Sequence, residues 1–281
     1  MPILTKMSKN GMQKYSVIVA FSQTGEKAYY CFGKKPQCTI CTKPKAESGF
    51  FKAGETLAVI LSAENVSRDF KIGDGSVVKA LKNVDLKIHE GELTVLRGRS
   101  GSGKTTLINI LGALDRPTEG KVMFLDEDLT ALSDAKRDEK RRYEMSFVFQ
   151  SVALISSMTG YENVEFGLRL AGIPFAERDE RVKKCLADVG LSKRMHHRPG
   201  EMSGGEQQRV AIARAIAHRP KIIFADEPTA ELDTQTSLYI VKLFKELVSN
   251  EGMTIVMTTH DPSMMDVADR VYTLEDGEIV E

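Results

Sequence analysis

The chain has 281 residues, enough for one large domain or two ordinary ones with a buried core. Lys plus Arg and Asp plus Glu both number 39, so no overall basic excess recommends nucleic acid as a partner. Four cysteines give no basis for a disulfide framework, and no run approaches the roughly 18 to 20 apolar residues needed to span a bilayer.

Charge is unevenly distributed. Residues 1–60 carry nine lysines, from Lys6 to Lys52, against Glu26, Glu47 and Glu55, which marks residues 1–56 as a basic appendage. Two short strands are predicted there, over about 15–21 and 27–32, joined by the turn-like Ser22-Gln-Thr-Gly25. The start lacks the charged, apolar and small-residue succession of a signal peptide, so a cytosolic location is expected. Cys31-x6-Cys38-x2-Cys41 has the look of a metal knuckle, yet structural zinc takes four ligands and the next candidate, His89, is far along the chain. Free thiols are the favoured reading, and zinc binding or redox sensing the other.

From residue 57 to 281 the text changes. Alternating apolar residues run through Val66, Phe70, Val77, Val78, Leu81, Val84, Leu86 and Ile88, broken at Gly73-Asp-Gly75, which predicts a hairpin and an antiparallel sheet. Next comes the apolar Leu93-Thr-Val-Leu96, then Gly98, Arg99, Ser100, Gly101, Ser102, Gly103, Lys104, Thr105 and Thr106, then a segment apolar at helical intervals to Leu114. Strand, glycine loop and helix in this order, with Gly98 to Thr105 fitting G-x-x-x-x-G-K-S/T, predict a phosphate-binding loop. Its glycines let backbone N–H groups curl around phosphates, the helix points its positive end at the same anion, Lys104 reaches the outer phosphates and the Thr105 hydroxyl ligates magnesium.

Three further apolar runs, Ser146–Phe149, Lys221–Ala225 and Thr254–Met257, lead into Gln150, Asp226 and His260. Continuous apolar strands fit a parallel sheet covered on both faces, and ligands gather beyond the carboxyl ends of such strands. Between Gln150 and Ser203 the pattern is helical. Pro174 opens a helix expected to place Phe175, Val182, Cys185, Leu186 and Val189 on one buried face before Gly190. Ser203-Gly204-Gly205-Glu206 enters a further helix, as an N-cap or as a second anion site. Arg270 to Val280 reads as a hairpin with an Asp-Gly turn.

Hydrolysis of a nucleoside triphosphate needs the phosphates held, a divalent ion and a group that orients or deprotonates water. Asp226, at the end of a buried strand, suits the magnesium role, and Glu227 beside it suits a general base facing the γ-phosphate.

In this order the pieces resemble the nucleotide-binding subunit of an ATP-binding cassette (ABC) transporter, over residues 60 to 281. Gly98 to Thr105 matches the Walker A loop, Gln150 the Q-loop, Met202 to Glu206 the signature, Ile222 to Glu227 Walker B with its catalytic glutamate, Ala230 to Asp233 the D-loop and His260 the switch histidine. Leu111 to Thr118, Phe147 to Gln150, Tyr161 to Val164 and His197 to Pro199 look like the lipoprotein-releasing and macrolide-efflux branch.

The resemblance implies an α/β fold: a P-loop NTPase core with a RecA-like parallel sheet, an antiparallel β subdomain and an α-helical subdomain at about 151–205, preceded by the extension. It implies ATP and Mg2+, the ion on Thr105, Gln150 and Asp226, with Glu227, His260 and Gln150 in catalysis and Phe70 stacking on adenine, where the family usually has Tyr. Two copies would close head to tail, each ATP lying between one Walker A loop and the Ser203, Gly204, Gly205 and Glu206 of the other copy, with Asp233 at the seam. An integral permease would be the partner and the cytoplasmic face of the membrane the location, with no nucleic acid expected. Glu206 stands where the wider family has Gln, and Glu231 where it often has a smaller or neutral residue. A soluble ABC-type ATPase acting on nucleic acid or ribosomes, and a regulatory cassette signalling through a permease-like partner, are the alternatives.

Overall fold

A computed structural model describes residues 58–281 except Asp74, Glu231, Asp261 and Glu281, without the side chains of 262–264, and the backbone of two strands nearer the start. The chain divides into two units, Met1–Thr56 and Leu57–Glu281. In the first, β1 (Ser16–Phe21) and β2 (Lys27–Phe32) pair antiparallel, Ser16 opposite Phe32 and Phe21 opposite Lys27. Cys31 is in β2, its side chain undescribed. Cys38 and Cys41 lie outside the described residues, as does Glu231.

The second unit runs β3 (Val59–Lys71), β4 (Val77–His89), β5 (Leu93–Arg97), α1 (Lys104–Leu111), β6 (Glu119–Phe124), β7 (Glu127–Asp128), α2 (Asp134–Tyr143) and β8 (Met145–Val148). It continues with α3 (Gly160–Leu170), α4 (Phe175–Asp188), a 3-10 turn at Pro199–Glu201, α5 (Gly204–Ile216), β9 (Ile222–Ala225), α6 (Thr234–Glu251) and β10 (Thr254–Thr259). A second 3-10 turn at Pro262–Val267, β11 (Arg270–Glu275) and β12 (Glu278–Ile279) complete it.

Six strands form one sheet in the order β12-β11-β5-β10-β9-β8. All neighbours in it are parallel except β12, which turns back on β11 through Asp276 and Gly277, both at positive φ. All residues of β9 and β10 are buried. Because successive side chains point to opposite faces, Ile223, Ala225, Ile255 and Met257 join one core with α3, α4, α5 and α6. Ile222, Phe224 and Val256 join another with α1 and the antiparallel sheet. Two covered faces are why these strands read as unbroken apolar runs.

The antiparallel sheet has the order β4-β3-β6-β7. The β3–β4 hairpin turns at 72–76, where Ile72 N–H donates to Ser76 O and Gly75 N–H to Ile72 O. Its other half comes from beyond the Gly98–Gly103 loop, whereas the sequence pattern placed this sheet ahead of that loop. Nothing in the local periodicity of 119–128 says that β6 pairs with β3.

Helices α3 and α4 and the first 3-10 turn occupy the stretch read as helical. In α4, Val182, Cys185 and Leu186 are buried, as is Val189 beyond it. Phe175 is not: it is 82% exposed, which corrects its expected place on the buried face. It is the first residue of α4, directly after Pro174, and this end of the helix runs past the core. Among the described residues no helix is long and apolar enough to cross a membrane.

Candidate functional site

The loop from Gly98 to Gly103 joins the carboxyl end of β5 to α1. Glycine is required at both ends: a Cβ on Gly98 would sit 2.3 Å from Leu274 O, and one on Gly103, at φ 102°, 2.5 Å from Ala80 O. The loop is therefore wedged between β4 and β11, and the Asp276–Gly277 turn braces it further. Gly277 N–H donates to Ser102 O at 3.1 Å, and Lys82 N–H to Gly277 O at 2.8 Å.

No side chain caps the start of α1 or of α4, which follows Pro174, whereas Ser133, Thr159, Ser203 and Asp233 cap α2, α3, α5 and α6. The free N–H groups and dipole of α1 are left to face an anion. Lys104, only 5% exposed, folds over the loop and donates to Gly98 O and Arg99 O, both at 2.9 Å.

A cleft of about 480 Å³ opens beside this loop. It is lined by Ser100, Gly101, Gly103, Lys104, Thr105 and Thr106 from the loop and α1, and by Gln150 and Glu227 from the ends of β8 and β9. Val78, Lys79, Ala80, Lys82, Asp276 and Gly277 form the remaining wall. Parallel strands deliver their carboxyl ends to one side of the sheet, which is how residues so far apart in sequence meet.

Glu227 stands between two basic groups, its Oε1 3.5 Å from Lys104 Nζ and its Oε2 3.4 Å from His260 Nδ1. Its backbone is at φ 42°, a left-handed conformation that costs a non-glycine residue about 1–3 kcal/mol and needs support from its surroundings. Thr258 supplies support: its hydroxyl accepts from Glu227 N at 2.8 Å and donates to Asp226 Oδ1 at 2.6 Å. Asp226 N–H donates to Val148 O, so both carboxylates are hung from the ends of neighbouring strands.

Phe70 is 40% exposed near the end of β3, and its register partner Val78 lines the cleft. The Arg68 guanidinium lies 4.5 Å from its ring centroid, a cation–π contact.

Ser203, Gly204, Gly205 and Glu206 do not line this cleft. They line a second hollow of about 430 Å³ with Arg209, Leu232, Asp233 and Thr236. Ser203 Oγ accepts from Glu206 N at 3.2 Å and Glu206 Oε2 accepts from Ser203 N at 2.9 Å, a reciprocal cap. A Cβ on Gly205 would meet Thr236 Cγ2 at 2.9 Å, so the start of α5 packs closely on the start of α6. Asp233 caps α6 through Gln235 N, Thr236 N and Thr236 Oγ1. The Thr236 hydroxyl and N–H hold the Asp233 carboxyl below its ordinary pKa, and the Ser203 N–H does the same for Glu206.

Sequence reasoning missed Thr258 and the wall from Lys79 to Lys82, and although it read the Asp276–Gly277 turn as part of a hairpin, it did not foresee that the turn braces the loop. Thr258-Thr259-His260 did carry a signal, since polar residues closing an apolar strand mark where it reaches a site.

A family model described as ABC transporter matches residues 81–230. The chain belongs to the ABC transporter family. It is an ATP-binding cassette of the ABC ATPase type. The Macrolide export ATP-binding/permease protein MacB of Wolinella succinogenes is 43% identical over 220 residues, 78% of this chain and 34% of that protein. An uncharacterized ABC transporter ATP-binding protein of Thermotoga maritima is 44% identical over 220 residues, 78% of this chain and 93% of its own length. The cassette thus spans about a third of the MacB relative and nearly all of the Thermotoga one. Among solved structures, the ATP-binding cassette MJ0796, whose namesake comes from Methanocaldococcus jannaschii, was captured as a dimer in a post-hydrolysis state bound to ADP and Pi. It superposes with a TM-score of 0.74 at 41% identity, covering 79% of this chain and 97% of that one.

Proposed function

We propose that the cassette hydrolyses ATP as a head-to-tail dimer on the cytoplasmic face of a membrane and so drives a separate permease. One observation carries the reading: the phosphate-loop cleft and the Ser203–Glu206 hollow are separate within one chain, so a nucleotide touching both must lie between two copies. The dimeric cassette with ADP and Pi supports that arrangement, and the export ATP-binding/permease relatives support a membrane partner.

In this reading the loop N–H groups and Lys104 hold the phosphates, and adenine stacks on the Phe70 face away from Arg68. Glu227 takes a proton from water as the water oxygen bonds to the γ-phosphorus and the bond from that phosphorus to the bridging oxygen breaks, leaving ADP and phosphate. His260 positions Glu227 and meets the γ-phosphate, and Gln150 orients the water. Ser203, Gly204 and Gly205 of the second copy cover the far side of the phosphates, and Asp233 lies at the seam.

The donors expected for magnesium are the Thr105 hydroxyl, the Gln150 amide oxygen and the Asp226 carboxylate. An all-oxygen set with one carboxylate fits a hard dication that completes its shell with phosphate oxygens and water. When bound, the ion neutralises phosphate charge. Asp226 is kept in place for it by the Thr258 hydroxyl.

Light scattering of the Glu227→Gln chain with and without ATP tests the reading. A dimer that forms with ATP and disperses with ADP is expected, and a monomer at saturating ATP overturns it.

A further inference from the structure

The second hollow holds a carboxylate where the proposed ligand is a phosphate. Glu206 is the third residue of α5, at the end whose N–H groups and dipole favour anions. A free negative charge there would oppose the triphosphate of a second copy.

Both of its oxygens are engaged. Oε2 accepts from Ser203 N at 2.9 Å and Oε1 lies 3.2 Å from Arg194 Nε. Arg194 is on the segment between α4 and the first 3-10 turn, which is tied to the start of α3. Tyr161 N–H donates to Met195 O at 2.7 Å, and Gly160 N–H to His197 O at 2.9 Å. Arg194 Nη1 is also 3.1 Å from His197 Nε2. Of the other charged groups, Arg209 and Asp233 line the same hollow, and Asp233 is committed to capping α6.

We propose that Arg194 is a positioning residue for the signature: its guanidinium cancels the Glu206 charge and holds that carboxylate on Ser203 N–H, leaving the start of α5 able to receive a triphosphate from a second copy. The assignment rests on the head-to-tail reading. It makes a specific demand: Arg194 is needed because Glu206 is charged. A glutamine at 206 can still accept from Ser203 N–H through its amide oxygen, so the cap survives while the charge disappears.

The test uses the full chain carrying Glu227→Gln, with dimer formation followed by light scattering as ATP is raised. Adding Arg194→Ala is expected to raise the ATP concentration for half-maximal dimerisation by about tenfold, the scale of a charge-assisted contact. Adding Glu206→Gln to that variant is expected to restore it to within about twofold. Melting temperatures of the variants guard against misfolding, since a purely structural role for Arg194 would not be rescued by removing a charge elsewhere. A dimer indifferent to Arg194→Ala, or a defect that Glu206→Gln leaves in place, overturns the assignment alone. A parent chain that does not dimerise with ATP overturns the head-to-tail reading and this assignment with it.

Discussion

Glu227 Oε1 lies 3.5 Å from Lys104 Nζ, so the residue after Asp226 beyond β9 and the first residue of α1 face each other across one cleft. His260 Nδ1 approaches the other Glu227 oxygen at 3.4 Å. The carboxylate is therefore held between the Lys104 and His260 side chains, at the place where water must be deprotonated in the proposed reaction.

Replacing Glu227 by Gln keeps the shape and removes the base. ATP turnover is expected to fall by about 10²–10⁴-fold, the usual contribution of general base catalysis, while the chain still retains ATP. A coupled phosphate-release assay beside equilibrium nucleotide binding separates the two effects. Turnover at the normal rate refutes the role.

Lys104 is tied to Gly98 O and Arg99 O and lines the cleft at the start of α1. Lys104→Ala is expected to weaken ATP binding by about ten- to hundredfold, as loss of a charged hydrogen bond should. Fluorescent-nucleotide titration measures this, and unchanged affinity contradicts the cleft assignment.

Thr258 links Asp226 to the backbone of Glu227 with one hydroxyl. Thr258→Val keeps the volume and leaves both groups short of a partner, at about 1–3 kcal/mol. Turnover is expected to drop on the order of tenfold, the factor that ~1.4 kcal/mol represents, and Thr258→Ser should recover most of it. Unchanged turnover in Thr258→Val, which lacks only the hydroxyl, would remove this link as a contributor.

Burial lowers the pKa of His218 below its ordinary 6.5, against the opposing effect of its contact with Met145 O. The folded protein then binds fewer protons here than the unfolded chain. The contribution to stability is complete above the unfolded value and is lost as pH falls from about 6.5 through the folded value. Melting temperature between pH 7 and pH 5 is expected to fall less steeply in His218→Gln than in the parent. Parallel curves would remove His218 as a cause.

Burial pushes the Cys185 thiol up to about 11, so its thiolate is scarce at neutral pH. Peptide mass mapping after brief iodoacetamide treatment is expected to find Cys185 unmodified in the folded chain and modified after denaturation. Rapid labelling of the native protein would contradict the packing around α4.

Much of the site was legible because its signals are local. A glycine loop between a strand and a helix, adjacent carboxylates after a buried strand, and Ser203 with Glu206 three positions on each declare themselves within a few residues. The pairing of β6 with β3, the exposure of Phe175, and the contacts of Thr258 and Arg194 are different. Each depends on which other segments do or do not pack nearby, and periodicity carries no information about that.

Residue order alone determined the chemistry available: a glycine loop between an apolar strand and a helix, and acid, amide and imidazole groups at strand ends. The tertiary structure supplied the contacts that order could not: Glu227 between Lys104 and His260 with Gln150 on the same cleft, and Ser203 to Glu206 on another hollow. Parallel strands bring their carboxyl ends to the same side of the sheet, whereas the start of α5 is fixed by its packing on α6 and its ion pair with Arg194, interactions that no stretch of sequence contains by itself.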